Sequence, residues 1–216
     1  MNVELKFHTP LSIVINALNM SHDSHDKADK YELPTDSITD KDRKRLERVV
    51  NKMKHKSIAE MAVYWFDIDG ISRACLQELA RHRTARLTVK SSRYTLRQLR
   101  DCYVPTYSAD MDIAIADLYV KTGNKTIDTI SHDTLYDLCE AMQDGISNDI
   151  AKYCLPESFK TRLQWQIDGR NLQNFLELRT SKDALWEIHN LASAIYQSLP
   201  TDHQYLYTDY VQNSIQ

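Results

Sequence analysis

Hydrophobic residues recur in two rhythms along this chain. The opening "VELKFH" alternates apolar and polar positions and predicts a first strand. "TPLSIVINALNM" follows with Thr9 placed to cap a helix and Pro10 at its first position. Residues 21 to 37 are polar and read as a loop. In "TDKDRKRLERVVNKMKH", Leu46, Val49, Val50 and Met53 recur at helical spacing, so this stretch predicts an amphipathic helix. "MAVYWFDID" is β-branched and aromatic and predicts a strand ending at Gly70. "SRACLQELARHR" then predicts a helix that carries Arg81 to Arg83 at its C-terminal end, where the helix dipole favours cations. Thr84 to Ser92 reads as irregular.

The second half is mostly helical in pattern. "ADMDIAIADLYVKTG" predicts a helix closed by Gly123, and "TLYDLCEAMQDGISNDIAKYCLP" one that runs to the break at Pro156. "TRLQWQID" alternates like a strand with Leu163, Trp165 and Ile167 on one face, and Gly169 follows as a turn. "NLQNFLELR" and "KDALWEIHNLASAIYQSLP" predict two more helices, the second burying Leu185, Ile188, Leu191, Ala192 and Ile195. The result is an α+β chain with more helix than strand and no internal repeat. Its 216 residues are read as one domain, 1–216, able to bury a sizeable core. A hydrophobic fraction of 42% with 26% charged residues is ordinary for a globular protein.

No apolar run approaches the ~18 residues of a membrane span. The start, "MNVELKFHTP", lacks the cationic and apolar segments of a secretory signal, so a cytoplasmic location is expected. The four cysteines are far apart with no CxxC pair, which weakens zinc-ribbon and thioredoxin readings and suits thiols in a reducing compartment. The pairs His22/Asp23 and His25/Asp26 are weighed as metal ligands against a solvated loop, and the loop is favoured. No metal is expected.

Charge and glycine content change the picture most. Net charge is −3, yet Arg81 to Tyr94 carries five cationic side chains, a histidine and no acid. Such local positive charge suits a small anionic ligand better than a long phosphate backbone. The four glycines, Gly70, Gly123, Gly145 and Gly169, are scattered, which excludes the clustered glycines of a dinucleotide fingerprint or a P-loop. There is no HExxH and no GxSxG. A nucleotide's phosphates would have to be held by side chains, for which arginine's planar fork is suited, with Ser91 and Ser92 adding hydroxyls. On a helix Arg81 and Arg83 would diverge by roughly 200°, serving two ligands or one ligand and a structural partner, with the flat ring of His82 between. The competing reading is a solvated basic helix end. A second constellation is "IDGRNLQNFLELRTS": Arg170 and Asn174 lie one helical turn apart, Arg179 follows, and Leu172, Phe175, Leu176 and Leu178 are the core side of the same helix. A third, "HKSIAE", offers His55, Ser57 and Glu60.

Together these pieces resemble the flavin-dependent thymidylate synthases. Arg-His-Arg, seven residues and then Ser appear as Arg81-His82-Arg83, "TARLTVK", Ser91, and the match continues through "SSRY". The downstream element appears as "DGRNLQNFLELR" and the upstream one as His55, Ser57 and Glu60; the likeness spans nearly the whole chain. The resemblance implies a mixed sheet flanked by helices, helix-rich and not a Rossmann fold. It implies a methyltransferase of nucleotide biosynthesis that converts dUMP to dTMP. Methylenetetrahydrofolate is then the one-carbon donor, FAD the hydride carrier and NADPH the reductant, in a homotetramer with shared active sites. It assigns the flavin to Ser57, Arg81, His82, Arg83, Val89, Asp168, Arg170 and Asn174. It assigns dUMP to Gln77 or Glu78, Arg81, Val89, Lys90, Ser91, Ser92, Arg93, Lys152 and Arg179, with Arg179 the catalytic cation. The chain departs from the family at Asp168 (Asn), Val89 (often Glu), Glu78 (Gln), Lys152 (Arg) and Met61 (His). Two rival readings are a nucleic-acid-binding module built on the basic 81–100 segment and a flavin-dependent NADPH oxidase without methyl transfer; neither nucleic acid nor membrane is an expected partner.

Overall fold

The computed structural model describes residues 1–21, 30–104 and 109–212. His22, Asp23, His25 and Asp26 lie outside the described residues. The ordered elements are β1 (Asn2–His8), α1 (Leu11–Ser21), α2 (Asp40–Glu47), α3 (Lys56–Ala59), β2 (Val63–Ser72), α4 (Arg73–Ala80), β3 (Arg86–Val89) and α5 (Ser92–Asp101). They continue with α6 (Ala109–Ala116), α7 (Lys125–Gln143), α8 (Asn148–Ala151), β4 (Lys160–Asp168), α9 (Gly169–Arg179), α10 (Trp186–Ser198) and α11 (Thr201–Gln204). The class is α+β and helix-rich. The sheet order is β1-β2-β4-β3, and the strands are antiparallel rather than mixed. Pairing at the strand ends shows why. Thr9, just past β1, donates its N–H to Val63 O at the start of β2, 2.9 Å, and Lys90, just past β3, donates to Arg162 O near the start of β4, 2.8 Å.

The chain divides into two compact units. The first comprises Met1, Asp69–Leu79 and Thr88–Leu163; the second comprises Asn2–Ile68, Ala80–Leu87 and the chain from Gln164 onward. In the first, Leu96, Leu99, Met111, Ile115, Leu135 and Cys139 form a buried cluster closed by Phe159. Burial pushes the Cys139 thiol up to about 11, so it stays protonated at neutral pH, and all four cysteines are free. In the second, Leu11, Ile15, Leu18, Tyr64, Phe66, Trp165, Phe175 and Ile188 are almost fully buried. Each such large apolar side chain contributes roughly 1.5–3 kcal/mol.

Several boundaries differ from the pattern-based reading, each because a local contact intervenes. Thr9 does not cap α1; its hydroxyl accepts from Val63 N, and the first turn of α1 is satisfied by Asp36 Oδ1 at 2.9 Å from Leu11 N. β2 runs through Gly70 instead of ending there. Gly70 sits at φ +78, a left-handed conformation that costs glycine least, and the strand continues through buried Ile71 and Ser72. The 84–92 stretch contains a short strand, β3, which alternates polar and apolar residues but was missed because it is four residues long and mostly exposed. α6 ends at Ala116 rather than Gly123, since Tyr119 leaves the helix to bridge Phe159. α7 starts at Lys125 under the Asn124 cap, and Gly145 at φ +99 separates it from α8. β4 is as expected, with Leu163, Trp165 and Ile167 buried. Leu178 and Leu185, expected inside, are 54% and 44% exposed.

Gly169 is not a turn but the first residue of α9. Asp168 is the N-cap, its Oδ1 accepting from Asn171 N at 3.0 Å. Glycine is needed here for space: a Cβ would lie 2.6 Å from Ala59 O and 2.7 Å from the Tyr207 hydroxyl oxygen. Gly169 N also donates to Ala62 O at 2.7 Å, so backbone meets backbone with no room for a methyl group. Gly169→Ala should therefore lower stability by about 1–3 kcal/mol, the usual cost of overpacking, as a shift of the urea midpoint at constant slope. An unchanged midpoint would show that this crossing is looser than described.

Candidate active site

α4 follows Ser72, whose Oγ accepts from Cys75 N at 2.9 Å, and ends at Ala80. The basic triplet thus lies beyond the helix, in a turn closed by Arg83 N to Arg81 O (3.0 Å) and Ala85 N to His82 O (3.0 Å). This corrects the helical geometry expected for it. Arg81 and Arg83 do not diverge around a cylinder; both line one cavity of about 830 Å³ in the second unit.

The turn is held by His82. Its ring stands edge-on to Phe175, centroids 5.0 Å apart; Phe175 stands against Trp165 at 4.9 Å, and Trp165 against Phe66 at 6.0 Å. The core of this unit therefore runs as a file of rings up to the cavity wall. On its polar side His82 Nε2 receives a hydrogen bond from Arg179 Nε, 3.0 Å. Arginine is a permanent donor, so Nε2 is the acceptor and the ring proton sits on Nδ1. Arg179 closes α9, where the helix dipole favours a cation.

Asn174 lines the cavity as expected, and Asn171 and Leu178 accompany it at i−3 and i+4, one face of α9. Asn171 went unread in the sequence although its spacing from Asn174 was the available signal. Arg170 is not in the lining; it pairs with Glu60 at 2.7 Å, which joins the second sequence constellation to the third. Both Asp168 oxygens are taken by Asn171, Oδ2 from its side-chain amide at 2.6 Å. Ser57 is exposed on α3. Beside it Lys56 Nζ donates to Gln173 Oε1 at 2.8 Å and lies 2.7 Å from the Tyr210 hydroxyl. The wall also includes Glu177, Ser181, Asp183 and Gln212. Gln212 had no signal in the sequence. Its N–H reaches buried Thr180 Oγ1 at 2.9 Å and its side-chain amide reaches Glu177 O at 3.0 Å.

The residues assigned to substrate, other than Arg81 and Arg179, lie in the first unit. Ser91 is the N-cap of α5 and makes no side-chain cap bond; Ser92 and Arg93 occupy the first turn, which contains no acid. A helix N-terminus with an adjacent cation attracts a phosphate. Lys90 spends its N–H on Arg162 O and its Nζ on Gln98 Oε1 at 2.9 Å, so its backbone donor is used by the sheet. Arg93 lies 3.6 Å from Asp149. The Gln77 amide donates to both oxygens of Glu157, 2.9 and 2.8 Å, while Glu78 is half-buried beside it. Val89 is on the exposed strand β3 and Lys152 is exposed just after α8.

Fold and cavity define a helix-rich α+β protein whose cavity is lined by three arginine side chains, with no glycine in the lining. The family model described as thymidylate synthase complementing protein matches residues 4–201. A flavin-dependent thymidylate synthase from Wolinella succinogenes is 48% identical over 208 residues, covering 96% of this chain and 97% of that protein. One from Campylobacter jejuni strain RM1221 is 43% identical over 222 residues, covering 100% of both. A solved structure of thymidylate synthase X from Helicobacter pylori with FAD and dUMP matches at TM-score 0.87 and 38% identity, covering 99% of this chain and 100% of that one. The chain belongs to the flavin-dependent thymidylate synthase family.

The capping role of Asp168 gives a direct test. Asp168→Asn should be nearly neutral in stability, because asparagine caps about as well, whereas Asp168→Ala should cost about 1 kcal/mol. Equal urea midpoints for the two variants would show that the carboxylate does not cap α9.

Proposed function

We propose that this chain catalyses the reductive methylation of dUMP to dTMP, with FAD, NADPH and methylenetetrahydrofolate, and that residues 1–216 form one functional domain. The observation that carries the reading is the convergence of Arg81, Arg83 and Arg179 on one cavity in a member of this family. The residues present fit a flavin dinucleotide. The cavity volume falls in the range of cofactor sites. Three arginines face two acids in its lining, and Asn171, Asn174 and Gln212 supply amide donors and acceptors for heterocycle edges. Arg81, His82, Arg83 and Asn174 would hold the flavin from this cavity, with Ser57, Asp168, Arg170 and Val89 as outlying contributors. When bound, reduced flavin supplies the hydride that completes the methyl group.

The chemical problem left to the protein is that C5 of uracil is a weak nucleophile. Electron density reaches C5 when negative charge develops over N3 and its neighbouring carbonyls, and a fixed cation there stabilises that charge. Arg179 takes this role. Its Nε is already bound to His82, so the plane of the guanidinium is set before substrate arrives. The α5 N-terminus with Ser91, Ser92 and Arg93, together with Lys90 and Lys152, would hold the nucleotide from the first unit, Lys152 as a point charge in place of a bidentate arginine; the family motif adds Arg81. Gln77 or Glu78 would read the base. Gln77 is bound to Glu157 before any ligand arrives, so reading by Gln77 would require that contact to open.

The purified protein, supplied with dUMP, methylenetetrahydrofolate and NADPH, should be yellow and form dTMP. NADPH consumption without dTMP would identify a flavin oxidase instead. Arg179→Ala should retain flavin while kcat falls by roughly 10²–10³-fold, as for loss of one charge-stabilising donor; full activity in that variant would remove the assignment.

A homotetramer with shared sites and a cytoplasmic location belong to the same proposal. Tyr94, Ile150 and Tyr153 are exposed near the α5 N-terminus, where Asn148 binds Arg93 O at 2.8 Å; such an apolar patch suits a subunit contact. No helix among the described residues is long and apolar enough to cross a membrane. Sedimentation equilibrium should return the mass of four chains, and a monomer at micromolar concentration would exclude the shared site.

A further inference from the structure

A second polar cluster lies in the same unit, apart from the residues lining the cavity. His8 at the end of β1, Asp36 in the segment before α2, and His203 in α11 meet around the Asp36 carboxylate. His8 Nε2 is 2.7 Å from Oδ2 and His203 Nε2 is 2.8 Å from Oδ1. The two imidazoles stand edge to face, 4.8 Å between centroids, and one ligand atom from each of the three residues lies within 4.8 Å of the other two. The cluster is anchored from behind. Leu11 N–H binds Asp36 Oδ1 at 2.9 Å, His203 Nδ1 is 2.8 Å from the Tyr64 hydroxyl, and Tyr207 donates to Tyr64 at 2.9 Å. His203 is fully buried, whereas the side chains of His8 and Asp36 are each 27% exposed.

We propose that His8, Asp36 and His203 form a binding site for a divalent transition cation of the zinc class. Two imidazoles and one carboxylate with an approach from solvent are the donor set of a three-ligand site whose remaining position takes water. Calcium and magnesium prefer an all-oxygen shell, so the two nitrogens select against them. With bonds of roughly 2.0–2.1 Å, tetrahedral geometry sets ligand atoms about 3.4 Å apart. The direct hydrogen bonds to Asp36 must open to admit the ion, and His8, at a strand end and partly exposed, has the room to swing. Each neutral ring, whose Nε2–H now donates to Asp36, then presents an Nε2 lone pair and carries its proton on Nδ1 instead, so the tautomer changes and no proton is lost. For His203 that Nδ1–H points at the Tyr64 oxygen, the kind of outer partner that orients a metal-bound imidazole. The ion would join chain positions 28 and 167 residues apart. The inference is independent of the reaction proposed above.

The test is calorimetric titration of chelator-treated full-length protein with zinc ions, followed by X-ray absorption at the zinc edge. One zinc per chain, bound through nitrogen and oxygen with no sulfur, is expected, with a higher melting temperature by mass action. His8→Ala and Asp36→Asn, each confirmed as folded by circular dichroism, should weaken binding at least tenfold. Absence of saturable binding, sulfur ligation, or a loss smaller than tenfold in the folded His8→Ala protein would overturn the proposal.

Discussion

The backbone contact at Gly169 sets the position of the α9 side chains that line the cavity of the second unit. A helix can begin there only because no side chain stands between its first residue and Ala59 O. Once the start is fixed by that contact and by the Asp168 cap, helical geometry fixes the rest at 1.5 Å and about 100° per residue. Asn171, Asn174 and Leu178 are turned to the cavity, Leu172, Phe175 and Leu176 to the core, and Arg179 is delivered at the last turn. A methyl group at residue 169 would displace all of them together.

Arg179 and His82 show how core packing positions a cation. His82 is placed by Phe175, itself held by Trp165 and Phe66, and Arg179 is placed by His82. A flexible cation is thereby tied through one hydrogen bond to a rigid aromatic file. In the first unit a different device serves the same end: the N-terminus of α5, without an acid in its first turn and with Arg93 beside it, is a fixed positive end that needs no long side chain to create it.

Much of this was legible in the sequence. The periodicity of β4 and of the two C-terminal helices showed in the alternation at 163, 165 and 167 and in the spacing of Ile188, Leu191 and Ile195. The poverty in glycine turned the search for phosphate donors to side chains. The family motifs placed Arg81, His82, Arg83, Asn174 and Arg179, which the fold collects in one cavity. What was not legible depended on contacts between distant positions. The basic triplet has good helical propensity around it, yet the helix stops at Ala80 because His82 is drawn to Phe175 and Arg179, more than ninety residues away. The α1 cap passed from Thr9 to Asp36 for the same reason, since Thr9 is engaged by Val63. Gln212 has no local pattern at all and reaches the cavity only through Thr180 and Glu177.

Recognition by side chains carries an entropic cost that recognition by glycine-lined backbone avoids: long cations must be immobilised when the ligand binds, at roughly 0.5–1.5 kcal/mol each. This chain meets that difficulty by partnering many of those side chains in advance. Arg179 is bound to His82, Arg170 to Glu60 and Lys90 to Gln98, while the Gln77 amide is bound to Glu157. Part of the ordering is therefore incurred at folding, where the hydrophobic core offsets it, and less remains to be met by the ligand. The acids used as partners also explain how a chain with net charge −3 sustains a locally cationic site. Glu60 and Asp149 neutralise Arg170 and Arg93 from the side, and these exposed pairs are worth little in stability, so a phosphate can displace them at small cost. Under the proposed assignment, the local excess of positive charge is thus held in a state that is ordered enough to recognise a nucleotide and weakly enough paired to release its cations to one.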